Sequence, residues 1–502
     1  MASQPSWARP PQVALIILAY FLIHVGVRVW AGPTLGLDDA EQALFAQQWL
    51  LNYRLRAPPL FTWALVGAGS LVGINALVIA ALRYALLAMV AAFTYLTARA
   101  LIRDPRLAAL ATFSFAAIYV FGYYSHHDLT HTTVLAAFIA ASWYAFVRLV
   151  ELPTLGRYLA LGAAFGFGLL GKWNFLIFAL ALPAACLTEP QYRRLVINWR
   201  MLPAVASMVL IALPSALWAV DVGPATGDGM ASLLGKPAAS LFGGLVVGTA
   251  NLALAVFAYP MPLLAIFLVL FGAAAWRGFR LKDGPPEPVV GAGLIGKVMV
   301  IALLLHWLLV PFAGATMFSE RLLQPALQIL PIYLFMLVDR VGADERPVRG
   351  YALAMAAVAV IAVAARLVVH IVCPGACRAL IPFEEVAQSL RRAGFAGTGT
   401  ILVAEFHLGG NLRVQFPKAR VIDIGFPPRV WPAAPGQGQC LLVWPARSSI
   451  ANAFDDYLVR ELAVSATTPR REGSITVAVP ATRARSYQVF YRLYAGSPGE
   501  CR

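Results

Sequence analysis

The chain has 502 residues, 60% of them apolar and 13% charged, against about 25% charged in an ordinary soluble domain; its mean hydropathy is +0.72. That composition excludes a disordered or collagen-like chain. It also excludes a single soluble globule, because one core would leave too much apolar surface outside it. The formal charge of +15 then has three candidate causes: nucleic acid, membrane topology or an anionic lipid substrate.

A bilayer core takes roughly 20 apolar residues per helix. Runs at 13–31, 76–101, 107–122, 130–149, 157–170, 174–188, 201–220, 251–276, 293–313, 322–338 and 350–372 predict about eleven spans. The stretch Met1–Pro11 has no small-residue cleavage pattern, so the first run reads as a retained span. Between 157 and 188, Gly171-Lys172-Trp173-Asn174 interrupts the pattern, giving two short helices or one long one. Gly162, Gly166 and Gly168 there suit close helix packing.

With the N-terminus in the cytoplasm, sixteen Lys/Arg fall in cytoplasmic segments and seven on the other side or in spans: Arg28, Arg54, Arg56, Arg83, Lys172, Lys236 and Arg321. This follows the positive-inside rule, and an odd span count places the C-terminus outside. The remaining sixteen lie from Arg366 onward; the excess reads mostly as orientation, and no nucleic-acid partner is expected.

Past the last span the composition changes to turn signals and short β-type runs: Thr400–Ala404, Ala419–Ile424, Cys440–Trp444, Ser474–Val479 and Tyr487–Leu493, with Glu384–Ala393 an amphipathic helix. Residues 1–372 thus read as a transmembrane domain with a first outer loop at 32–75. Residues 373–502 read as a small soluble α/β domain outside the membrane. Cys373, Cys377, Cys440 and Cys501 lie there, an even number that suggests disulfides in an oxidising compartment.

Ionisable residues next to apolar bulk are where function is best sought. Asp38, Asp39 and Glu41 follow the first span and precede an apolar-faced segment, Ala43–Leu51. One carboxylate can cap that helix; the second is free to take a proton or hold a cation. Arg54 and Arg56 precede Pro58-Pro59 and can pair with phosphate or with the acids upstream. Asp128 sits before a span as a cap or a functional acid. His127 and His131, spaced i, i+4, are either metal ligands with Asp128 or interface histidines. Lys172 either snorkels or meets a phosphate, and Glu320-Arg321 is either a mutual ion pair or part of the same face. The span centres read as almost purely apolar, unlike a transporter's.

This ordered set resembles the GT-C glycosyltransferases: Leu37-Asp38-Asp39-Ala40 with Gln47, Pro58-Pro59, Asp128 before a span, Gly168-Leu169-Leu170-Gly171-Lys172, and Glu320-Arg321 with Gln324-Pro325. The likeness, over roughly residues 10–340, is to the branch holding bacterial aminoarabinose and galacturonic acid lipid A transferases and protein O-mannosyltransferases. Leu408-Gly409-Gly410-Asn411-Leu412-Arg413 looks like the soluble domains of rhizobial-type members. The resemblance implies a multi-pass protein of the bacterial inner (plasma) membrane with its C-terminal domain periplasmic. It implies a polyprenyl-phosphate-linked sugar donor, and an anionic envelope lipid, glycan or protein acceptor (lipid A or lipopolysaccharide core among them), with transfer on the periplasmic face and inversion at the sugar carbon. The family's acidic pair falls on Asp38 and Asp39, its second-loop acid on Asp128, its basic residue nearest on Arg56, and its lysine on Lys172.

The chemistry agrees with the residues. An acceptor hydroxyl loses its proton as it attacks, which calls for a carboxylate base. The lipid-phosphate leaving group calls for Arg, Lys or a divalent cation. The expectation is Asp38 as base, Asp39 and Asp128 orienting acceptor or metal, and Arg56, Lys172 and Arg321 holding phosphate. Glu41, His127, His131 and Glu320 are further acceptor or metal contacts. The competing readings are a non-catalytic lipid-linked sugar carrier, a polysaccharide-assembly component, and a glycan-binding scaffold.

Overall fold

The computed structural model describes residues 6–54, 57–222, 240–281, 288–372, 378–426, 430–433, 438–446, 454, 457, 469–480 and 486–494. Eight described helices are long and apolar enough to cross a membrane. They are α1 (Pro10–Trp30), α4 (Ala76–Leu101), α7 (His131–Glu151), α11 (Met201–Val222), α12 (Leu241–Ala258), α13 (Leu263–Arg280), α14 (Ala292–Ala313) and α17 (Glu345–Val372). Shorter apolar helices fill the bundle: α3 (Leu60–Val72), α8 (Leu155–Gly171), α9 (Phe175–Leu187) and α16 (Leu330–Asp339). The remaining helices are α2 (Leu37–Phe45), α5 (Pro105–Phe113), α6 (Tyr119–Gly122), α10 (Pro190–Val196), α15 (Gln324–Leu327), α18 (Phe383–Arg392) and α19 (Phe406–Gln415).

Two expectations about the helices change, and one left open is resolved. The run 251–276 is two helices, because Pro260 and Pro262 between α12 and α13 lack backbone N–H groups and stop the first ladder. The run 107–122 is α5, a 3-10 turn at Ser114–Ala117 and α6 rather than one span. The stretch 157–188 is two helices meeting at Lys172–Asn174. The glycines behave as expected: a Cβ at Gly162 would lie 2.0 Å from the Ala204 carbonyl oxygen, so only glycine lets α8 meet α11 there.

The C-terminal domain holds one five-stranded sheet in the order β2-β1-β3-β5-β4. The strands are β1 (Gly399–Val403), β2 (Ala419–Asp423), β3 (Gln439–Pro445), β4 (Arg471–Ala478) and β5 (Ser486–Tyr494). The first three are parallel, with α19 as the β1-to-β2 crossover; β5 runs antiparallel to both β3 and β4. Of the parallel strands, β1 and β3 are almost wholly buried apolar runs, as strands covered on both faces are. Cys440 is disulfide-bonded; Cys373, Cys377 and Cys501 lie outside the described residues.

This domain is seated on the first loop. Leu44, Phe45 and Tyr53 belong to its hydrophobic core, with Phe45 edge-on to Phe426 at 5.4 Å and stacked on Trp431 at 5.9 Å. Helix α19 crosses α2 backbone to backbone: a Cβ on Gly410 would lie 2.0 Å from the Ala40 carbonyl oxygen. Asn411 Oδ1 accepts from the Leu35 amide at 2.8 Å. The Gln47 side chain continues the edge of β2, accepting from the Val421 amide at 2.9 Å and donating to its carbonyl at 2.8 Å. The domain thereby fixes the helix that carries Asp38, Asp39 and Glu41.

Candidate active site

Helix α2 begins at Leu37 after Gly36, so Asp38 and Asp39 lie in its first turn, where carboxylates suit the helix dipole. It ends at Phe45 and is largely buried. The apolar-faced segment expected to be helical over Ala43–Leu51 is helical only to Phe45, and Leu44, Phe45 and Leu50 pack into the core of the C-terminal domain.

The cap of α2 comes from elsewhere in the chain. Asp128 accepts from the amides of Leu37 at 3.2 Å and Asp38 at 2.7 Å. Asp38 returns the contact, its Oδ2 accepting from the Thr130 amide at 3.3 Å. Between them Leu129 takes φ 69°, a left-handed conformation uncommon for a leucine. That turn aims the Asp128 side chain and the Thr130 amide at the same helix end, and such strain concentrates at functional sites. Asp128 thus caps α2 rather than heading its own helix, which starts at His131. Burial, and the nearby Asp38 and Asp39, push the Asp128 carboxyl well above the usual carboxylate range.

The two adjacent acids diverge, because consecutive helical residues point about 100° apart. Asp38 is partly exposed, and its Oδ1 has no hydrogen-bond partner among the described residues. Asp39 is 1% exposed and ion-paired with Arg83 of α4, itself 0% exposed. Burial pushes the Asp39 carboxyl up, and the guanidiniums of Arg83 and Arg28 oppose that. Glu41 pairs with Arg54, whose guanidinium lies 5.1 Å from the Phe426 ring. Of the two readings open for Arg54, the structure has it beside the upstream acid. Arg56 lies outside the described residues.

Lys172 ends α8 beside this helix end. Its Nζ donates to Thr132 Oγ1 at 3.2 Å. Burial and the nearby Arg321 bring Lys172 down to about 8, against the upward pull of Asp38. Arg321 lies in a 3-10 turn, Glu320–Leu322, placed by two contacts to the Leu322 carbonyl: Asn174 Nδ2 at 3.1 Å and His306 Nε2 at 3.0 Å. Glu320 and Arg321 form no mutual ion pair; both lie within electrostatic reach of Tyr124. The structure therefore brings together Asp38, Asp128, Lys172 and Arg321, with Tyr124 at their edge.

The histidines separate. His131 opens α7, and its Nε2 shares a 2.9 Å hydrogen bond with Gln42, which also accepts from Thr62 Oγ1 at 2.5 Å. His127 precedes that helix and packs its ring on Tyr123 at 4.5 Å; burial and Arg366 hold it down at about 3. The pair does not share a helical face, and among the described residues no group of three or more His, Cys, Asp or Glu is placed to hold a metal.

Sequence reasoning counted Arg83 and Arg366 but gave neither a role. Arg83 and Arg366 are buried inside spans read as apolar, each near the end of its helix that faces the site. His24 of α1 stacks on His126 at 3.6 Å. A charged residue inside an apolar run is itself the signal that could have found both arginines.

A GT-C arrangement, with acids on a short helix beyond the first span and bases at the ends of later helices, defines the class as a membrane glycosyltransferase. A family model described as dolichyl-phosphate-mannose-protein mannosyltransferase matches residues 56–218. The lipopolysaccharide core galacturonosyltransferase RgtA of Rhizobium johnstonii is 30% identical over 451 residues, covering 88% of this chain and 87% of that protein. RgtB of the same organism, named for the same activity, is 29% identical over 472 residues, covering 92% of each. ArnT from Cupriavidus metallidurans, solved bound to undecaprenyl phosphate, shares the fold with a TM-score of 0.61 at 12% identity, covering 98% of this chain and 99% of that one. The chain belongs to the lipopolysaccharide core galacturonosyltransferase family and is a glycosyltransferase of the membrane.

Proposed function

We propose that the protein transfers a uronic acid sugar from a polyprenyl-phosphate donor to a hydroxyl of an anionic envelope acceptor, the lipopolysaccharide core, on the periplasmic face, with inversion. The relatives' named activity supports the sugar and the acceptor, and the shared fold with ArnT supports a lipid-phosphate donor. The one observation that carries the mechanism is the pair of contacts from the Asp38 amide to Asp128 and from the Thr130 amide to Asp38, which leaves one Asp38 oxygen free at a partly exposed helix end.

Asp38 takes the proton of the acceptor hydroxyl as the hydroxyl oxygen attacks the anomeric carbon, and the bond to the donor phosphate breaks on the opposite face. Lys172 and Arg321 hold the phosphate and stabilise its charge as it leaves; Arg56 joins them in this reading. Asp128 holds α2 in register. Asp39, bound to Arg83, is structural to the helix rather than to the acceptor. Glu41, His131 and Glu320 border this face as second contacts. A divalent cation is no step in this reading; chelation followed by Mg²⁺ or Mn²⁺ addition tests whether one takes part.

The experiment is reconstitution of purified protein in nanodiscs with a polyprenyl-phosphate galacturonic acid donor and isolated lipopolysaccharide core, read by mass spectrometry. The expected product carries one added hexuronic acid residue, and its absence with active donor and acceptor refutes the assignment.

A further inference from the structure

Beneath the open acid lies a surplus of buried positive charge. Arg28, Arg83 and Arg366 come from α1, α4 and α17 and lie within electrostatic reach of one another. Among the described residues, only Arg83 of the three is ion-paired with an acid, Asp39. Arg28 donates to the carbonyls of Gly32 at 2.6 Å and Thr34 at 2.9 Å. Arg366 donates to His24 Nδ1 at 2.7 Å, and to the His24 carbonyl and Tyr84 hydroxyl at 3.3 Å each. None of those partners is charged. Arg83 Nε and Nη1 and Arg366 Nε are buried with no hydrogen-bond partner among the described residues. Unneutralised guanidiniums with unmet donors at this depth are costly unless an anion completes them.

The cluster sits beside the reacting position. Arg83 is within electrostatic reach of Asp38 and Asp128. Arg366 is within electrostatic reach of Tyr123 and His127, half-buried residues of the outer loop. Lys172 and Arg321 gather near Asp38, while Arg83 is bound to Asp39, about 100° around the helix. A uronic acid donor presents two anions of the same kind of geometry. Its phosphate is on the anomeric carbon and its carboxylate is on C5, the other carbon bonded to the ring oxygen.

We propose that Arg28, Arg83 and Arg366 form the subsite for the donor sugar's carboxylate, with Arg366 its main selective contact. This rests on the uronic acid reading above. A planar guanidinium suits a carboxylate through paired N–H donors, and such a site discriminates against a neutral sugar because its buried donors are then left unmet.

The test uses the full-length protein in nanodiscs with two synthetic donors, polyprenyl-phosphate galacturonic acid and polyprenyl-phosphate galactose. The wild type is expected to prefer the uronyl donor, and R366M to reduce the uronyl-to-neutral kcat/KM ratio about tenfold or more, with R366K keeping part of it. Equal loss on both donors overturns the proposal, since it marks a contact to the shared phosphate or a structural role. Should R366M not fold, inhibition of the wild type by methyl galacturonide but not by methyl galactoside supports the subsite, and equal inhibition overturns it. A wild type that uses only the neutral donor refutes the uronic acid reading itself, and this is seen before any variant is compared.

Discussion

The two sides of α2 differ in what their carboxylates meet. On one side Asp38 is partly exposed, gives its amide to Asp128 and accepts from the Thr130 amide, and lies within electrostatic reach of Lys172, itself near Arg321. On the other, Asp39 is sealed against Arg83, with Arg28 and Arg366 behind it. The same residue type one position apart thus serves two purposes: a carboxylate with a free oxygen can move a proton, whereas one locked to a buried guanidinium holds the helix and neutralises charge. Side-chain identity alone does not decide the role; the neighbouring helix does.

Each side can be broken separately. D38N removes the base without disturbing the Asp128 cap, and transfer should fall about 10²- to 10⁴-fold with the thermal midpoint unchanged. D39N instead leaves Arg83 buried without its acid. It should lose about 3–5 kcal/mol of stability, read as a lower thermal midpoint and yield, and the double variant D39N/R83M should recover part of that loss.

Lys172 sharpens the open side through pH. Held at about 8, it is charged below that pH and loses its charge as pH rises through it. The donor KM should therefore climb between pH 7 and 9, and K172R, which stays charged, should flatten that climb. K172M should raise the donor KM at pH 7 about tenfold, with little change in the melting temperature. The smallest effect is expected from N411A, which removes the acceptor for the Leu35 amide at the foot of α2. It should lower stability by about 1–2 kcal/mol and leave the donor KM within about twofold of wild type.

The sequence made the composition of the open side readable but not the partners within either side. Asp38, Asp128, Lys172 and Arg321 are charges beside apolar runs, and hydropathy points to the short segments that hold them. The contacts that assign their roles span long separations: Asp39 to Arg83, and Asp128 to the Leu37 and Asp38 amides. No local period reports these. Leu129 is likewise invisible, since nothing about a leucine announces a left-handed backbone. In the fold, the five strands were legible from short β-type runs bounded by turn residues. The division at 251–276 was not read because hydropathy is continuous across it, although Pro260 and Pro262 marked it. The seating of the C-terminal domain on α2 was legible only as an unexplained Gly409-Gly410 pair, whose reason is a backbone approach no side chain allows at Gly410.

The central claim is that the chemistry belongs to Asp38 and not to its neighbour. Its most direct test is the single-turnover transfer rate of D38N at saturating donor in nanodiscs, normalised to folded protein. The account predicts a loss of about 100-fold or more at an unchanged thermal midpoint; a rate within a few-fold of wild type contradicts it.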